Sequence, residues 1–342
     1  MMKSALDIEK LLKKSPSIWL ITGVAGFIGS NLAEYLLLNN QKVIGIDNFS
    51  TGKLHNLDDI EKKVGKNWNN FTFLECDVND TKHYERYVKD VDYVLYQSAL
   101  GSVPRSIKNP LNTNEANVSG FLSFIEIIKN NNNVKNFVYA SSSSVYGDHK
   151  SLPKKEEKIG SPLSPYAASK LINELYADVF FKSYGLKSTG LRYFNVFGKR
   201  QDPDGAYAAV IPRWINSMIK NEDIFINGDG ETSRDFCFID NVIQANILAA
   251  MIPVKNPEVF NVAVGSRTSL IELFGIIKKD LKSLGFNYDK KPVFKDFRKG
   301  DVRHSEADIS KIKKVLGYSP SHVCEEGLRE TVKWFVSKNK NG

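Results

Sequence analysis

The stretch Ile18-Trp-Leu-Ile-Thr22-Gly23-Val-Ala-Gly26-Phe27-Ile28-Gly29 decides the fold class of this chain. A short apolar run leads into three glycines, and a helical pattern follows. The first glycine permits a tight turn, the second lets the backbone approach a pyrophosphate, and the third lets helix and strand pack closely. Asp47 ends the next apolar run 18 residues after Gly29, where a carboxylate would accept hydrogen bonds from an adenosine ribose. These features predict a dinucleotide site, and the acid favours NAD over NADP because it repels a 2′-phosphate.

Apolar runs and helical stretches alternate through the first half of the chain. Strands are predicted at 18–22, 42–47, 71–75, 93–97, 136–141 and 187–192, and helices at 27–39, 82–89, 117–129 and 166–183. Runs that are apolar without alternation suit strands that are covered on both faces. The pattern therefore predicts an α/β fold with a Rossmann-type, doubly wound parallel sheet.

The domain organisation follows from where this pattern stops. Residues 1–192 are predicted to form the NAD-binding domain, with 1–16 as an added N-terminal helix. Residues 193–342 are irregular and punctuated by prolines, which is typical of a smaller α+β lobe, here assigned to the substrate. Part of 233–264 is expected to return to the first domain. The cleft between the two regions is the predicted ligand site.

Composition excludes several classes of protein. The three cysteines, Cys76, Cys237 and Cys324, are too far apart for a CxxC zinc site and too few for a disulfide framework, so we predict no metal and a cytoplasmic setting. Glycines and polar residues interrupt the most apolar stretch, 18–38, so no membrane partner is expected. The net charge is +8, but the basic residues form no stripe interleaved with aromatic residues. No nucleic-acid partner is therefore expected.

A second motif points to acid–base chemistry. Tyr166 and Lys170 are four residues apart and share one face of a predicted helix. An ammonium group close to a phenol favours the phenolate, so the pair predicts a tyrosine with a lowered pKa that acts as a general base. Four serines, 141–144, follow a predicted strand, where their hydroxyls would lie at the ligand-binding edge of the sheet. One of them is expected to bond the reacting oxygen.

Taken together, the glycine loop, the serine run, Tyr166-x-x-x-Lys170 and Leu191-Arg-Tyr-Phe-Asn-Val-Phe-Gly198 resemble the extended short-chain dehydrogenase/reductase superfamily. Within it, the likeness is to nucleotide-sugar 4-epimerases, in particular the UDP-N-acetylglucosamine (UDP-hexose) 4-epimerase family. It extends from about residue 17 to near the C-terminus.

The resemblance implies a role for each matching residue. Tyr166 would be the base, Lys170 its partner and a ribose ligand, and Ser142 the main hydroxyl donor, with Ser143 close enough to share that role. The implied NAD contacts are Gly23, Gly26, Phe27, Ile28, Gly29, Asp47, Asn48, Asp77, Val78, Gln97, Ala99, Tyr166, Lys170 and Tyr193. The implied substrate contacts are Ser102, Ser142, Ser143, Ser144, Asn195, Phe225, Asn227, Arg234, Arg298, Asp301 and Ser305. Among these, Phe225 would lie against uracil, and Arg234 and Arg298 would bind the diphosphate.

The implied reaction inverts C4 of a UDP-N-acetylhexosamine through a 4-keto sugar, interconverting UDP-N-acetylglucosamine and UDP-N-acetylgalactosamine. Ser305 stands where relatives restricted to non-acetylated hexoses carry a bulky aromatic residue, and 101–106 resembles the variant that prefers N-acetylated sugars. A homodimer and a role in supplying polysaccharide precursors are expected by resemblance alone.

Other activities remain open at this point. Arg105 or a nearby lysine would suit the carboxylate of the corresponding uronic acids, and UDP-glucose and UDP-galactose are further alternatives. A 4,6-dehydratase would carry Asp-Glu where this chain has Ser143 and Ser144, and a decarboxylase would need an additional acid. A silent NAD-binding regulator would be expected to lack Tyr166 or Lys170, and both are present.

Overall fold

The computed structural model describes residues 7–14, 16–204, 208–297 and 302–340. Its strands are β1 (Ile18–Thr22), β2 (Lys42–Asp47), β3 (Phe71–Glu75), β4 (Tyr93–Tyr96), β5 (Asn136–Ser142), β6 (Ser188–Tyr193), β7 (Val196–Phe197), β8 (Phe225–Asn227), β9 (Ser233–Arg234), β10 (Cys237–Phe238), β11 (Glu258–Val262), β12 (Thr268–Ser269) and β13 (Val293–Lys295).

The helices are α1 (Ile8–Lys14), α2 (Phe27–Leu38), α3 (Leu54–Val64), α4 (Glu85–Val88), α5 (Val103–Lys108), α6 (Pro110–Asn114), α7 (Gly120–Ile128), α8 (Pro165–Tyr184), α9 (Val210–Ile219), α10 (Ile239–Met251), α11 (Leu270–Ser283), α12 (Ser310–Leu316) and α13 (Cys324–Lys340). Across the described residues, no helix has both the length and the apolar character needed to cross a bilayer.

The central sheet has seven strands in the order β11-β6-β5-β4-β1-β2-β3, and all neighbouring pairs are parallel. The predicted α/β fold with a Rossmann-type, doubly wound parallel sheet is therefore confirmed. The chain moves outward from β1 in both directions along the sheet. Ligands bind at such a reversal of strand order, beyond the carboxyl ends of the strands. The site is therefore expected where β1 and β4 end.

The sheet buries both of its faces, as its sequence predicts. In β1, Trp19 and Ile21 pack into one apolar core, whereas Leu20 between them packs into the other. The first core contains α2 and α10, and the second contains α7 and α8. Because alternate residues of a strand point to opposite faces, a run that is apolar throughout is what such a strand requires.

Two predicted helices differ from the structure. The segment predicted as a helix at 82–89 consists of a 3-10 turn, Thr81–His83, and the four residues of α4. Tyr84 lies between them, and it is fully buried with its hydroxyl on the Val78 carbonyl oxygen. The helix predicted at 117–129 begins as a π turn, Glu115–Ser119, before α7. Tertiary contacts of one residue override the helical period in the first case.

The second half of the chain contributes to both regions. Strand β11 pairs with β6 at the edge of the main sheet, and α10 packs behind β5. Short two-stranded pairings, β8 with β13 and β9 with β12, form the remaining lobe. Helix α1 packs onto the rest of the chain through Leu12, which is fully buried. The carbonyl oxygen of Leu12 accepts a hydrogen bond from Gln41 Nε2. The lobe thus lies beside the carboxyl ends of the central strands.

Candidate active site

The glycine loop after β1 has the geometry that its sequence predicts. Gly23 has φ +67°, and a Cβ on Gly29 would lie 2.1 Å from the Gly23 carbonyl oxygen. Only hydrogen fits at Gly29, so α2 starts directly against the loop. Thr22 Oγ1 accepts hydrogen bonds from the N–H groups of Gln97 and Ser98 at 3.2 and 3.1 Å. This joins the ends of β1 and β4 around one opening.

That opening leads into a cavity of about 290 Å³. It is lined by every residue predicted to contact the cofactor: Gly23, Gly26, Phe27, Ile28, Gly29, Asp47, Asn48, Asp77, Val78, Gln97, Ala99, Tyr166, Lys170 and Tyr193. The start of α2 faces it, and a helix N-terminus favours phosphate oxygens. The residues present therefore fit NAD, with its pyrophosphate at the loop.

Asp47 is held in place at the end of β2. Its carboxylate accepts hydrogen bonds from the N–H groups of Ala25 and Phe49 at 2.9 and 2.8 Å. Burial raises the pKa of this carboxyl, and the backbone donors oppose that rise. Asn48 Nδ2 donates to Asp77 Oδ2 over 2.6 Å, which connects the ends of β2 and β3. The surrounding loop thus fixes the orientation of the Asp47 carboxylate, the predicted ligand of the ribose.

Tyr166 and Lys170 lie on one face of α8, where the cavity reaches the end of β5. The hydroxyl of Tyr166 lies close to that of Ser142, whose Oγ accepts hydrogen bonds from Ser144 N at 3.2 Å and from Ser144 Oγ at 2.9 Å. Ser143 is half-buried and begins the 3-10 turn Ser143–Tyr146. Lys170 is buried, and its Nζ donates to the Ala140 carbonyl oxygen over 2.8 Å.

The pKa of Tyr166 differs from the sequence-based prediction. Burial raises it, and the hydrogen bond with Ser142 opposes the rise. Burial also lowers the pKa of Lys170 to about 8. Both side chains lose solvation in the same cavity. Desolvation therefore governs the pKa of Tyr166, whereas the sequence predicts that the ammonium charge of Lys170 would govern it. The prediction of a lowered tyrosine pKa is wrong for the protein alone.

Tyr193, at the end of β6, borders the same cavity. Its hydroxyl lies 3.1 Å from both Gln97 Oε1 and Asn246 Oδ1. Asn246 is fully buried on α10 and was not identified from the sequence. Burial raises the pKa of Tyr193, and the hydrogen bonds to Gln97 and Asn246 fix its hydroxyl.

A second cavity, of about 460 Å³, lies on the lobe side. Five residues predicted for the substrate line it: Ser102, Asn195, Phe225, Asn227 and Arg234. Arg234 Nη1 donates to the carbonyl oxygens of Ser233 and Arg303 at 2.9 and 3.2 Å, which fixes the guanidinium group. The structure thus brings together residues that are up to 132 positions apart in the sequence.

Arg213 and Trp214 also line this cavity, and neither was identified from the sequence. Arg213 and Trp214 lie in the first half of α9, with Arg213 exposed and Trp214 buried. No carboxylate is among the described residues that line the cavity, so Arg213 and Arg234 make it an anion site. Arg213 stands among apolar residues of a helix, and the sequence offers no motif that marks it.

Ser305 lies next to this cavity, in the segment that pairs with β9. Its N–H donates to the Ser233 carbonyl oxygen over 3.1 Å, and it is not among the described lining residues. Asp235 anchors the same segment by accepting hydrogen bonds from the N–H groups of Val264, Gly265 and Ala307. Burial raises the pKa of Asp235 to about 6. Arg298 and Asp301 lie outside the described residues.

Comparison with known proteins identifies the family. The model of the NAD dependent epimerase/dehydratase family matches residues 19–263, more than half of the chain. The chain belongs to this family. NAD is accordingly its cofactor, in agreement with the loop, the carboxylate and the cavity described above.

Solved structures of family members cover nearly the whole chain. A UDP-glucose 4-epimerase of Thermotoga maritima, solved with UDP-glucose, is 38% identical, with 94% of this chain and 99% of that chain covered and a TM-score of 0.85. A UDP-N-acetylglucosamine 4-epimerase of Methanobrevibacter ruminantium, in complex with UDP-N-acetylmuramic acid, is 41% identical, with 95% and 99% covered and a TM-score of 0.85. A variant UDP-glucuronic acid 4-epimerase of Bacillus cereus, in complex with UDP-4-deoxy-4-fluoro-glucuronic acid and NAD, is 30% identical, with 94% and 99% covered and a TM-score of 0.83. The family member described here therefore resembles 4-epimerases named for three different UDP-sugars.

Proposed function

We propose that this chain is a UDP-sugar 4-epimerase that interconverts UDP-N-acetylglucosamine and UDP-N-acetylgalactosamine. One observation carries the proposal: Tyr166, whose hydroxyl lies close to Ser142, lines the NAD cavity, and Arg213 and Arg234 line a second cavity. A base, a redox cofactor and a diphosphate site together suit reversible oxidation of a nucleotide-linked alcohol.

Each catalytic side chain has a defined task in this reaction. In its phenolate form, which the cationic nicotinamide of bound NAD would favour, Tyr166 removes the proton from the sugar 4-hydroxyl, while the Ser142 hydroxyl bonds the same oxygen and keeps it in line. NAD held by the residues of its cavity would supply reversible hydride transfer at C4. Tyr166 then returns its proton to the oxygen of the inverted alcohol. Lys170, buried with its Nζ on the Ala140 carbonyl oxygen, would bond the nicotinamide ribose.

The substrate's nucleotide end is held while its sugar turns. The Arg234 and Arg213 guanidinium groups provide forked donors for the diphosphate oxygens. Phe225, exposed on β8 with Lys295 Nζ 3.7 Å above its ring, offers a face for uracil. Asn195 lines the second cavity, where it would bond the phosphate or the sugar. Fixing only the nucleotide leaves the hexose free to rotate about its phosphate linkage.

Two features favour an N-acetylated sugar. Ser305 is small and adjoins β9 beside Arg234, which leaves volume that a bulky side chain would fill. Ser102 and the two residues after it line the substrate cavity, and they belong to the segment that resembles acetamido-sugar epimerases. The 41% identity to a protein named UDP-N-acetylglucosamine 4-epimerase supports the same assignment.

A uronic acid is the second candidate, and Arg213 is the observation that favours it. Its exposed guanidinium group lines the cavity and would meet a sugar carboxylate if the diphosphate were bound by Arg234 alone. The similarity to UDP-glucuronic acid 4-epimerase supports this alternative. Under this alternative, Arg213 would contribute to selection at C6 rather than to nucleotide binding.

The test is direct turnover with a panel of substrates. Purified protein is incubated, without added NAD, with UDP-N-acetylglucosamine, UDP-glucose, UDP-glucuronic acid and UDP-N-acetylglucosaminuronic acid, and the products are separated by chromatography. We expect the galacto isomer of UDP-N-acetylglucosamine at the highest kcat/KM. Higher kcat/KM on a uronate or on UDP-glucose would contradict the substrate assignment, and no turnover of any of the four would contradict the activity.

We also propose a homodimer that works in the cytoplasm and supplies sugar nucleotides to polysaccharide assembly. Leu175 and Val179 are exposed on α8, and Ile107 and Leu111 are exposed on the adjoining α5 and α6. A contiguous apolar surface of this kind suits a second copy of the chain. The three unpaired cysteines are consistent with a reducing compartment. Light scattering of the purified protein would measure the dimer directly.

A further inference from the structure

Helix α8 carries a further polar residue, Glu174, on the same side as the two of the catalytic motif. Tyr166, Lys170 and Glu174 follow one another at intervals of four, so all three occupy one side of the helix. Each meets a different residue at the end of β5: Tyr166 lies close to Ser142, Lys170 bonds the Ala140 carbonyl oxygen, and Glu174 bonds Ser141. The helix is thus joined to three consecutive residues of the strand.

Glu174 makes the strongest set of these contacts. Ser141 Oγ donates to Glu174 Oε1 over 2.5 Å. Arg192 donates to the same carboxylate through Nε at 2.9 Å and Nη2 at 2.8 Å. The Arg192 and Glu174 side chains are only 4% and 8% exposed, so this is a buried ion pair with bidentate geometry.

The carboxylate joins two residues that face each other across the sheet. Ser141 of β5 and Arg192 of β6 are register partners, and the next pair is Ser142 with Tyr193. Ser142 is the hydroxyl proposed for catalysis, and Tyr193 lines the NAD cavity. Bonds from one carboxylate to both members of a register pair prevent the strands from shifting relative to α8.

Arg192 is also constrained on its far side. Its Nη1 donates to the Glu156 carbonyl oxygen at 2.9 Å, and its guanidinium carbon lies 4.9 Å above the Tyr146 ring. Tyr146 ends the 3-10 turn that contains Ser143 and Ser144, and its hydroxyl donates to Asn261 Oδ1 at 2.6 Å. The same ion pair therefore also supports the turn after Ser142, through the contact of Arg192 with Tyr146.

We infer that Glu174 is a positioning residue for the epimerase reaction: through Ser141 and Arg192 it sets where the Ser142 hydroxyl meets Tyr166. The inference rests on the catalytic roles proposed above for Ser142 and Tyr166. Glu174 itself does not touch the reacting atoms, because Ser141 and the strand stand between them. Its loss acts on the chemical step by misplacing a hydrogen-bond donor by a fraction of an ångström.

Ser141→Ala isolates this connection. Replacing Glu174 would leave Arg192 buried without its counter-charge and would endanger folding, whereas Ser141→Ala removes one hydroxyl and keeps the ion pair. Ser188→Ala on β6 is the matched control, since Ser188 is fully buried and its hydroxyl has no partner among the described residues. We expect Ser141→Ala to lower kcat by about tenfold, with KM within about twofold and bound NAD unchanged. Ser188→Ala should leave kcat unchanged.

A double-mutant cycle separates positioning from general loss of structure. If Ser141 acts through Ser142, the Ser141→Ala change will lower kcat in the wild-type background and have no further effect in a Ser142→Ala background. The inference is overturned by an unchanged kcat in Ser141→Ala, by an equal loss in both backgrounds, or by a loss that matches lost NAD.

A crystal structure of Ser141→Ala gives a readout that needs no turnover. We expect the Ser142 Oγ to move away from Tyr166 Oη in this variant and to keep its place in Ser188→Ala. An unmoved Ser142 would overturn the inference even if wild-type turnover were high. Absence of turnover with every UDP-sugar would instead contradict the proposed function, while the crystal structure would still decide the role of Glu174.

Discussion

Lys170 donates a hydrogen bond of 2.8 Å from Nζ to the carbonyl oxygen of Ala140, two residues before Ser142. The helix that carries the proposed base is therefore bonded to the strand that carries the proposed hydroxyl donor. Burial holds the pKa of Lys170 at about 8, so this contact keeps an ammonium group in a site of low solvation. This bond fixes the distance between helix α8 and strand β5 more firmly than a loop could.

Tyr166→Phe removes only the phenolic oxygen. We expect kcat to fall by about 10²- to 10⁴-fold, because general acid–base catalysis contributes about that much, while bound NAD is retained. Epimer formation and NAD released by acid treatment are the two measurements. Tyr184→Phe, at the exposed end of the same helix, is the control and should keep full activity. Normal turnover in Tyr166→Phe would refute its role as the base.

Arg213→Ala tests the cation that the sequence did not reveal. We expect KM for the UDP-sugar to rise about tenfold or more, since a charge-assisted hydrogen bond contributes about 1.5–3 kcal/mol, with kcat within about twofold. Steady-state kinetics on UDP-N-acetylglucosamine and UDP-glucuronic acid provide the measurement. Arg329→Ala, on the exposed face of α13 beside Glu325, is the control. A KM loss confined to the uronate would assign Arg213 to a sugar carboxylate.

Ser305→Tyr tests the proposed size selection at the sugar. A phenol ring beside β9 should exclude an acetamido group, so kcat/KM for UDP-N-acetylglucosamine should fall at least about tenfold more than for UDP-galactose. The ratio of the two kcat/KM values is the measurement. Ser305→Ala, which adds no bulk, should leave the ratio unchanged. Equal losses on both substrates would show that Ser305 does not select by size.

Glu34 provides a prediction on stability and pH. Lys63 and Lys199 each lie 2.6 Å from its Oε1, and Arg200 donates to Oε2. Burial alone would raise the pKa of Glu34, but the charges of Arg200 and Lys199 outweigh it and hold the pKa at about 2. A carboxyl whose folded pKa is lowered stabilises the fold fully above its unfolded value, near 4.5, and loses that effect as pH falls toward 2.

Glu34→Gln should therefore destabilise the fold in a pH-dependent way. We expect a loss of about 3 kcal/mol in the free energy of unfolding at pH 7, and about half of that at pH 3. Urea unfolding at both pH values is the measurement, with Glu126→Gln, an exposed partner of Lys129, as control. A loss of the same size at both pH values would mean that the carboxylate charge is not the cause.

The parts of the fold that could be predicted from the sequence are those that depend on local physics. Strands β1, β2 and β3 have the predicted bounds because a run such as Ile18–Thr22 must be buried on both sides. The glycine loop was equally predictable, since only hydrogen fits at Gly29. Helix α4 was overestimated because the burial of Tyr84 interrupts a period that the sequence alone would continue.

The candidate site was predicted only where its residues belong to recognisable motifs. Every proposed NAD contact lines one cavity, and five proposed substrate contacts line the other. Arg213 was missed because its role depends on α9 lining one cavity together with β8 and β9, which no local pattern records. Glu174 was missed although its interval of four from Lys170 was visible, because its partner Arg192 is on another element, 18 residues away.

The sequence by itself determined the sheet, the phosphate loop, the ribose carboxylate and the pairing of Tyr166 with Lys170. These follow from backbone sterics, burial and helical spacing, which act over a few residues. Only the tertiary structure decided that burial, rather than the lysine charge, governs the pKa of Tyr166. Only it revealed that Arg213 joins the anion site and that Glu174 connects Ser141 to Arg192. Solvation and charge pairing depend on which distant side chains share a cavity, and only the folded chain brings those side chains together.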